Sequence, residues 1–368
     1  MTYDIAIIGG GMVGLTLAIA LQKNSRVLLI DAVAENKEDH RLIALNHSSI
    51  CLFKSLHVWP MLQSHATPIN EIHVSKRGRL GITRISSDLL KLETLGYVIP
   101  AKYINIALSK LLKVDVIRPG ILKKFHQTSD EVFLTVETSE GLKEISASYM
   151  IGADGTHSFV REFLNIPTKK IDYQQSAIVT KTLLHRPHQN VAYERFVEEG
   201  AIAMLPLQNN EVATIWTANN SKIDALLKLS DEEFLQTLQK TFGYRLGRLQ
   251  KISKRYSYPL HLVKATEHQI DRIILMGNAL HTMQPIAAQS LNLAFYEMTL
   301  LVEYFAKKSQ EKIDFSKHSL PEKLSHHLSW IFSTDFFLWN MARQSSMIAL
   351  DVFPILKKYF LKRLMRGV

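Results

Sequence analysis

The chain has almost no cysteine: Cys51 is the only one among 368 residues. That excludes an internal disulfide framework and any multi-cysteine zinc or iron–sulfur centre, and it fits a reducing compartment. Long apolar runs are missing as well. Gln289–Phe305 comes nearest to a membrane span, and Glu297 and Glu303 interrupt it. The N-terminus has Asp4 where a secretory leader carries its basic residues, so no leader is expected. There is no internal repeat, no low-complexity tract, no long Pro/Gly/Ser linker and no nucleic-acid motif. Domains joined without linkers are expected to be interleaved or tightly packed. Acid is in short supply: 34 Asp and Glu face 44 Lys and Arg, a formal charge of +10. Such an excess is either a diffuse solubilising surface or an attraction to anionic membrane.

Against these absences stands a dense N-terminal pattern. Tyr3–Ile7 is a short apolar run and reads as a buried strand. Gly9, Gly11 and Gly14 form Gly-x-Gly-x-x-Gly. Met12–Gln22 reads as a helix, Arg26–Ile30 as a second strand, and Asp31 ends it. Strand, glycine turn, helix, strand and acid make the dinucleotide-binding unit. Gly9 permits the tight turn. Gly11 lets backbone N–H groups approach a pyrophosphate at the positive end of the helix. Gly14 allows close helix–strand packing, and Asp31 is placed to accept from a ribose.

The same logic recurs twice. Tyr149–Ala153 reads as a buried strand stopped by Asp154-Gly155. Arg272–Met276 reads as another, followed by Gly277-Asn278, by Pro285 in a loop, and by a long helix beginning near Ala288. Strand ends are where an α/β sheet presents its ligand groups. Between these segments the spacing predicts hairpins at Glu71–Val74/Leu80–Ile85 and Glu131–Val136/Glu144–Ser148, and a helix over Tyr103–Leu112. From Ser176 to Tyr258 alternation predicts strands, with one helix, Asp231–Thr241, capped by Ser230 with Glu233 three residues on. The remainder to Val368 reads as helical and aromatic. It ends in an apolar stripe of Leu356, Tyr359, Phe360 and Leu364 beside Lys357, Lys358, Lys362 and Arg366.

The three strand-end motifs, in this order and at these separations, resemble the flavoprotein aromatic hydroxylases of the p-hydroxybenzoate hydroxylase fold, in their ubiquinone-biosynthesis branch. Asp39-x-Arg41-x-x-Ala44-Leu45, Glu194-Arg195-Phe196, Ala203-Met204-Leu205-Pro206 and Phe242-Gly243-Tyr244-Arg245 extend the resemblance over nearly the whole chain. The mid-chain blocks and Gly277-Asn278 most resemble 2-octaprenyl-6-methoxyphenol hydroxylases. The resemblance implies an α/β chain with a Rossmann-like FAD-binding domain (1–70, 97–175 and 264–310), interleaved with a mainly β substrate domain (71–96 and 176–263) and followed by a helical C-terminal segment (311–368).

By the same resemblance the cofactor is FAD. Gly9, Gly11, Gly14, Asp31, Arg41, Asp154, Gly155, Asn278, Pro285, Gln289 and Asn292 are the residues implied to bind it. No catalytic residue is assigned; His281 is the sole candidate. No metal is implied. The implied reaction is hydroxylation of a polyprenylphenol ring by O₂, at C1 of a 2-polyprenyl-6-methoxyphenol. No second nucleotide fingerprint is visible, so the electron donor stays open, with NAD(P)H as candidate. Implied partners are the polyprenylphenol, O₂ and a ubiquinone-biosynthesis assembly, with no nucleic acid. The implied location is the cytoplasm, either free or peripheral at the inner face of the membrane. The chain departs from the family at Ala288, Ser290 and Ala294, where glycine is usual, and at Glu297, where aspartate is usual. These departures leave a second possibility open: a non-catalytic paralogue serving as a structural partner. An FAD enzyme of another class, such as an amine oxidase, fits the Asp154-Gly155 segment and the motif order poorly.

Overall fold

A computed structural model describes residues 2–34, 39–78, 82–282, 289–307, 313 and 315. Apart from Ile313 and Phe315, the region implied above to be a helical C-terminal segment, with its basic end, lies outside the described residues, as do Pro285 and Ala288.

The first sheet grows from the N-terminal unit. Thr2–Ile8 pairs in parallel with Val27–Ile30 on one side and with the end of Gly141–Gly152 on the other. Ile273–Leu275 adds beyond Gly152, and Asp115–Ile117 adds beyond Val27–Ile30. Val27–Ile30 is buried at every position, as a parallel strand covered on both faces must be. The helix Met12–Leu21 is apolar nearly all round because it too is covered: it packs on this sheet, on the helix Ala101–Leu111 and on the helix Gln289–Lys307.

The second sheet is mixed, mostly antiparallel and nine-stranded. Its long strands are Thr168–Leu184 and Tyr256–Ala265, followed across the sheet by Glu211–Asn219, Gly200–Pro206, Val191–Val197 and the hairpin Glu71–Lys76/Ile82–Ser86. One face carries the helices Asn220–Lys228 and Asp231–Phe242 over a core that includes Ile178, Ile202, Met204 and Trp216. The opposite face turns toward a small three-stranded sheet of Leu42–Asn46, Thr67–Ile69 and Gly96–Pro100, which joins it through Ile69, Val98, Ala192 and Ala213.

Several expectations are refined. Glu144–Ser148 and Tyr149–Ala153 are one continuous strand, Gly141–Gly152. Its first half closes the hairpin with Val132–Thr138 and its second half enters the parallel sheet. The mid-chain region holds two helices rather than one. The additional helix, Asn220–Lys228, is capped by Asn219, whose side chain accepts from the Lys222 N–H. The cap at Ser230 is a full capping box with Glu233. The helix expected over Tyr103–Leu112 begins earlier, at Ala101, directly after Pro100.

Candidate functional site

The register of the first sheet brings its strand ends into line. Ile8 sits beside Ile30 and Gly152, and Gly152 beside Leu275. The segments that follow, at Gly9, Asp31, Asp154 and Asn278, therefore emerge at one edge. Gly9 has φ +110°, and a Cβ there would lie 2.4 Å from the Ala153 carbonyl oxygen, so the first and second motifs touch through bare backbone. A Cβ at Gly14 would lie 1.9 Å from the Gly9 carbonyl oxygen, which fixes helix against turn. Gly277 packs on Val13, one residue past the start of the glycine-turn helix. Arg161, 4% exposed, ties the second and third motifs together. Its guanidinium donates to the carbonyls of Thr156 (2.8 Å) and Ala279 (2.9 Å).

Gly11 is different. A Cβ there meets nothing within 4 Å. It fronts a cavity of about 360 Å³ lined also by Gly10, Asp31, Arg41, Asn105 and Arg118. The helix start, with its unpaired N–H groups, opens onto this space.

Asp31 lies where the sequence puts it, but it already has a cation. Arg118 Nη2 is 3.0 Å from its Oδ2, and both side chains are largely buried. Arg118 Nε is buried and makes no hydrogen bond among the described residues, so it has a donor to offer. Sequence reasoning missed Arg118; it stands 87 positions beyond Asp31, and only the pairing of Val27–Ile30 with Asp115–Ile117 brings the two together. Arg41 grips Asp39 through two hydrogen bonds, 2.9 and 2.6 Å, and Asn105 adds a third at 3.2 Å. Burial opposes ionisation of Asp39, but the hydrogen bonds and charge of Arg41, with the Asn105 amide, outweigh it and hold the carboxyl below its usual range.

Asp154 is the least satisfied acid at the edge. Its Oδ2 accepts from the Val160 N–H at 3.1 Å, while Oδ1 is buried with no hydrogen-bond partner among the described residues. Burial pushes its pKa up, against the hydrogen bonds from Ser158 and nearby backbone. Gly155 has φ +87° and open space around it. Asn278 is exposed, and its Oδ1 accepts from the Ser290 hydroxyl at 3.3 Å. An orphaned guanidinium N–H and an open helix start on one cavity, with an orphaned carboxylate oxygen at the neighbouring strand end, fit a dinucleotide with its hydroxyls and phosphates.

Asn292 is engaged with the protein itself. Its Oδ1 accepts from the Asn46 N–H (2.9 Å) and the Ser49 hydroxyl (2.7 Å), and its Nδ2 donates to the Ala44 carbonyl (3.0 Å). It holds the helix Gln289–Lys307 onto the strand Leu42–Asn46. The backbone of Gln289 begins this helix; its side chain is outside the described residues. His281 is buried, with Nε2 3.6 Å from Glu297 Oε2. Ala294 is 1% exposed, so its methyl group packs within the protein.

Comparison with known proteins agrees with this geometry. A family model described as an FAD binding domain matches residues 2–316. The chain is similar to a protein named ubiquinone hydroxylase UbiL from Rhodospirillum rubrum, 28% identical over 99% of this chain and 93% of that one. It is also similar to a 3-demethoxyubiquinol 3-hydroxylase of Escherichia coli, 28% identical over 82% of this chain and 78% of that one. Among solved structures, a p-nitrophenol 4-monooxygenase from Pseudomonas putida superposes with a TM-score of 0.80 at 15% identity, covering 100% of this chain and 98% of that one. That likeness extends over both sheets and concerns the fold.

Proposed function

The chain belongs to the FAD-binding domain family and is an FAD-dependent monooxygenase, and on that premise we propose that it hydroxylates the aromatic ring of a polyprenylphenol on the route to ubiquinone. The observation that carries the cofactor half is the cavity before Gly11, with Asp31, Arg41 and Arg118 on its walls. The names of the relatives, which are hydroxylases of ubiquinone synthesis, support the substrate half. The finer assignment, a 2-polyprenyl-6-methoxyphenol attacked at C1, rests on the mid-chain sequence blocks.

FAD supplies the chemistry with O₂ when bound. The chain's residues bind and orient. The helix start at Gly11 receives the pyrophosphate. Asp31, held by Arg118, takes the ribose of the adenosine half. Asp154 Oδ1 and Asn278 offer acceptors at the strand ends. The segments 1–70, 97–175 and 264–310 are assigned to this binding, and 71–96 and 176–263 to the substrate. The three-stranded sheet packs against the substrate half through the apolar cluster around Ala192 and Val98. Ser290 is hydrogen-bonded to Asn278 and Ala294 is packed inside, so these two departures from the family give no support to a non-catalytic scaffold.

The test is reconstitution followed by turnover. Purified protein titrated with FAD is expected to develop a perturbed flavin spectrum. With O₂, a reductant and a 2-polyprenyl-6-methoxyphenol it is expected to yield a product heavier by one oxygen atom. A protein with no affinity for FAD would overturn the proposal. Hydroxylation at another ring carbon would overturn only the finer assignment. The tail of such a substrate stays in a bilayer, and among the described residues no helix is long and apolar enough to cross one. The proposal therefore includes docking on an anionic surface through the basic end, Lys357 to Arg366.

A further inference from the structure

Glu194 lies in the strand Val191–Val197, beside Ala203 on one neighbouring strand and Val74 on the other. The row continues from Ala203 to Ile215 and Val179. Strand alternation fixes which way this row faces. Ile178, Ile202, Met204 and Trp216, which alternate with it, point into the core under the two helices. On Glu194's own face, Ala192 and Ala213 pack toward Leu42, Ala44 and Val98 of the small sheet. Ala44 is also where Asn292 anchors the helix Gln289–Lys307. Glu194 thus belongs to the sheet face turned toward the nucleotide half.

That face is grooved. The row of Val74, Glu194, Ala203, Ile215 and Val179 is half-exposed, while Ala192 and Ala213 on one side and Ala177, Ala201 and Phe196 on the other are buried. Alanine at so many of these positions keeps the floor low and leaves room for a flat ring above it. Glu194 is the one acid in the row. It is surrounded by protein yet keeps accessible surface, as a group at the bottom of a recess does. Its carboxyl makes no hydrogen bond or ion pair among the described residues. Burial alone pushes its pKa up to about 7. The other titratable groups on this face include Lys76 beside Phe196, Lys181 beside Ala213, Tyr256 at the far end of the row, Tyr258 beside Ala177, and Glu211 and Lys251 on either side of Leu183. The elements packed over it contribute apolar side chains such as Leu42, Ile69, Leu90 and Val98.

We propose that the Glu194 carboxylate receives the hydroxyl of the bound phenol and takes its proton. The phenolic O–H bond breaks, its electron pair stays on the phenol oxygen, and the proton moves to a carboxylate oxygen of Glu194. Nothing is oxidised or reduced in this step. It leaves the ring as a phenolate, richer in electrons at the carbon that is to be hydroxylated. A carboxyl set near neutrality is a better proton acceptor for a phenol than an ordinary one. The inference rests on the reading of the substrate as a phenol.

The experiment compares the FAD-loaded parent with Glu194→Gln and Glu194→Asp. Without reductant, bound phenol is titrated by ultraviolet difference absorbance between about pH 5 and pH 9, a range spanning ordinary carboxyl and imidazole titration. The parent is expected to show a phenolate band that Glu194→Gln lacks. In turnover, Glu194→Gln is expected to lose about 100-fold or more in kcat with KM little changed, and Glu194→Asp to recover part of it. Glu194→Gln should also unfold no more easily than the parent at alkaline pH, which separates chemistry from misfolding. A Gln variant that keeps the phenolate band and a rate within about twofold overturns the inference and leaves the hydroxylase reading intact. A parent that binds FAD but no phenol overturns both.

Discussion

At Gly11 the backbone is extended, with φ −73° and ψ 179°, and the space beside it is open. A Cβ built there meets no protein atom within 4 Å, and a side chain would project into the cavity proposed for the pyrophosphate. Gly11→Val is therefore expected to fold normally, with unchanged thermal unfolding, and to weaken FAD binding by about 100-fold or more, equivalent to about 2.7 kcal/mol, in a flavin fluorescence titration. Asp154 offers the converse experiment. Burial raises its pKa in the folded chain, so ionising it costs stability. The stabilising contribution of its protonated form is present below the unfolded-state pKa and is lost as pH rises through the raised folded value. Asp154→Asn should raise the melting temperature of the cofactor-free protein at neutral pH more than at acid pH, while lowering FAD affinity. Equal melting curves at neutral pH would refute it. The glycine turn and Asp31 were legible because each is a local signal with a fixed place in one motif. Arg118 was not, because its role comes from a strand pairing across the sheet and it has no signature of its own beside Pro119. Glu194 was visible only as part of a block that carries the family resemblance; its isolation on an apolar face exists only once the register is known.

Elements are held by contacts of two ranges. Ser230 and Glu233 close a reciprocal cap on the helix Asp231–Phe242. Ser230→Ala should cost about 1 kcal/mol in urea unfolding. Asn292 reaches much farther, joining its helix to Ala44, Asn46 and Ser49. Asn292→Ala strands the partners of three hydrogen bonds, one buried and two part-buried, and should cost about 2–3 kcal/mol. Flavin affinity should fall with it if the helix start drifts; a variant as stable as the parent would show the clamp to be dispensable. The capped helix was readable because Ser230 and Glu233 announce it. The helix Asn220–Lys228 carries a comparable signal at Asn219, hidden by a neighbouring run that alternates like a strand. Gly141–Gly152 looked like two strands because its outer half is exposed and polar while its inner half is buried. Composition changes along it, but the backbone does not.

Over the whole molecule, the two sheets divide the work, and the excess positive charge remains a property of the surface. If the basic end docks on lipid, replacing Lys357, Lys358, Lys362 and Arg363 by Gln should reduce cosedimentation with anionic vesicles at low salt, with each cation worth about 1 kcal/mol near such a surface. Unchanged sedimentation would mean that the substrate's tail is delivered by other means. Fold class was legible at this scale from the order of the three motifs, since each ends a strand of one parallel sheet.

The strand Gly141–Gly152 has a further consequence for synthesis. Val132–Thr138 covers the first half of one edge, and the rest of that edge, Met150–Gly152, is closed by Ile273–Leu275. On a ribosome the two are separated by roughly 120 residues, which take about 6 to 24 seconds to translate. Throughout that interval the nascent nucleotide half presents an open, apolar parallel edge at Met150–Gly152 while most strands of the second sheet emerge. The vulnerable species in the life of this protein is thus a half-made chain rather than the finished one, and truncations ending before residue 273 are expected to aggregate, as light scattering of the released fragments would register.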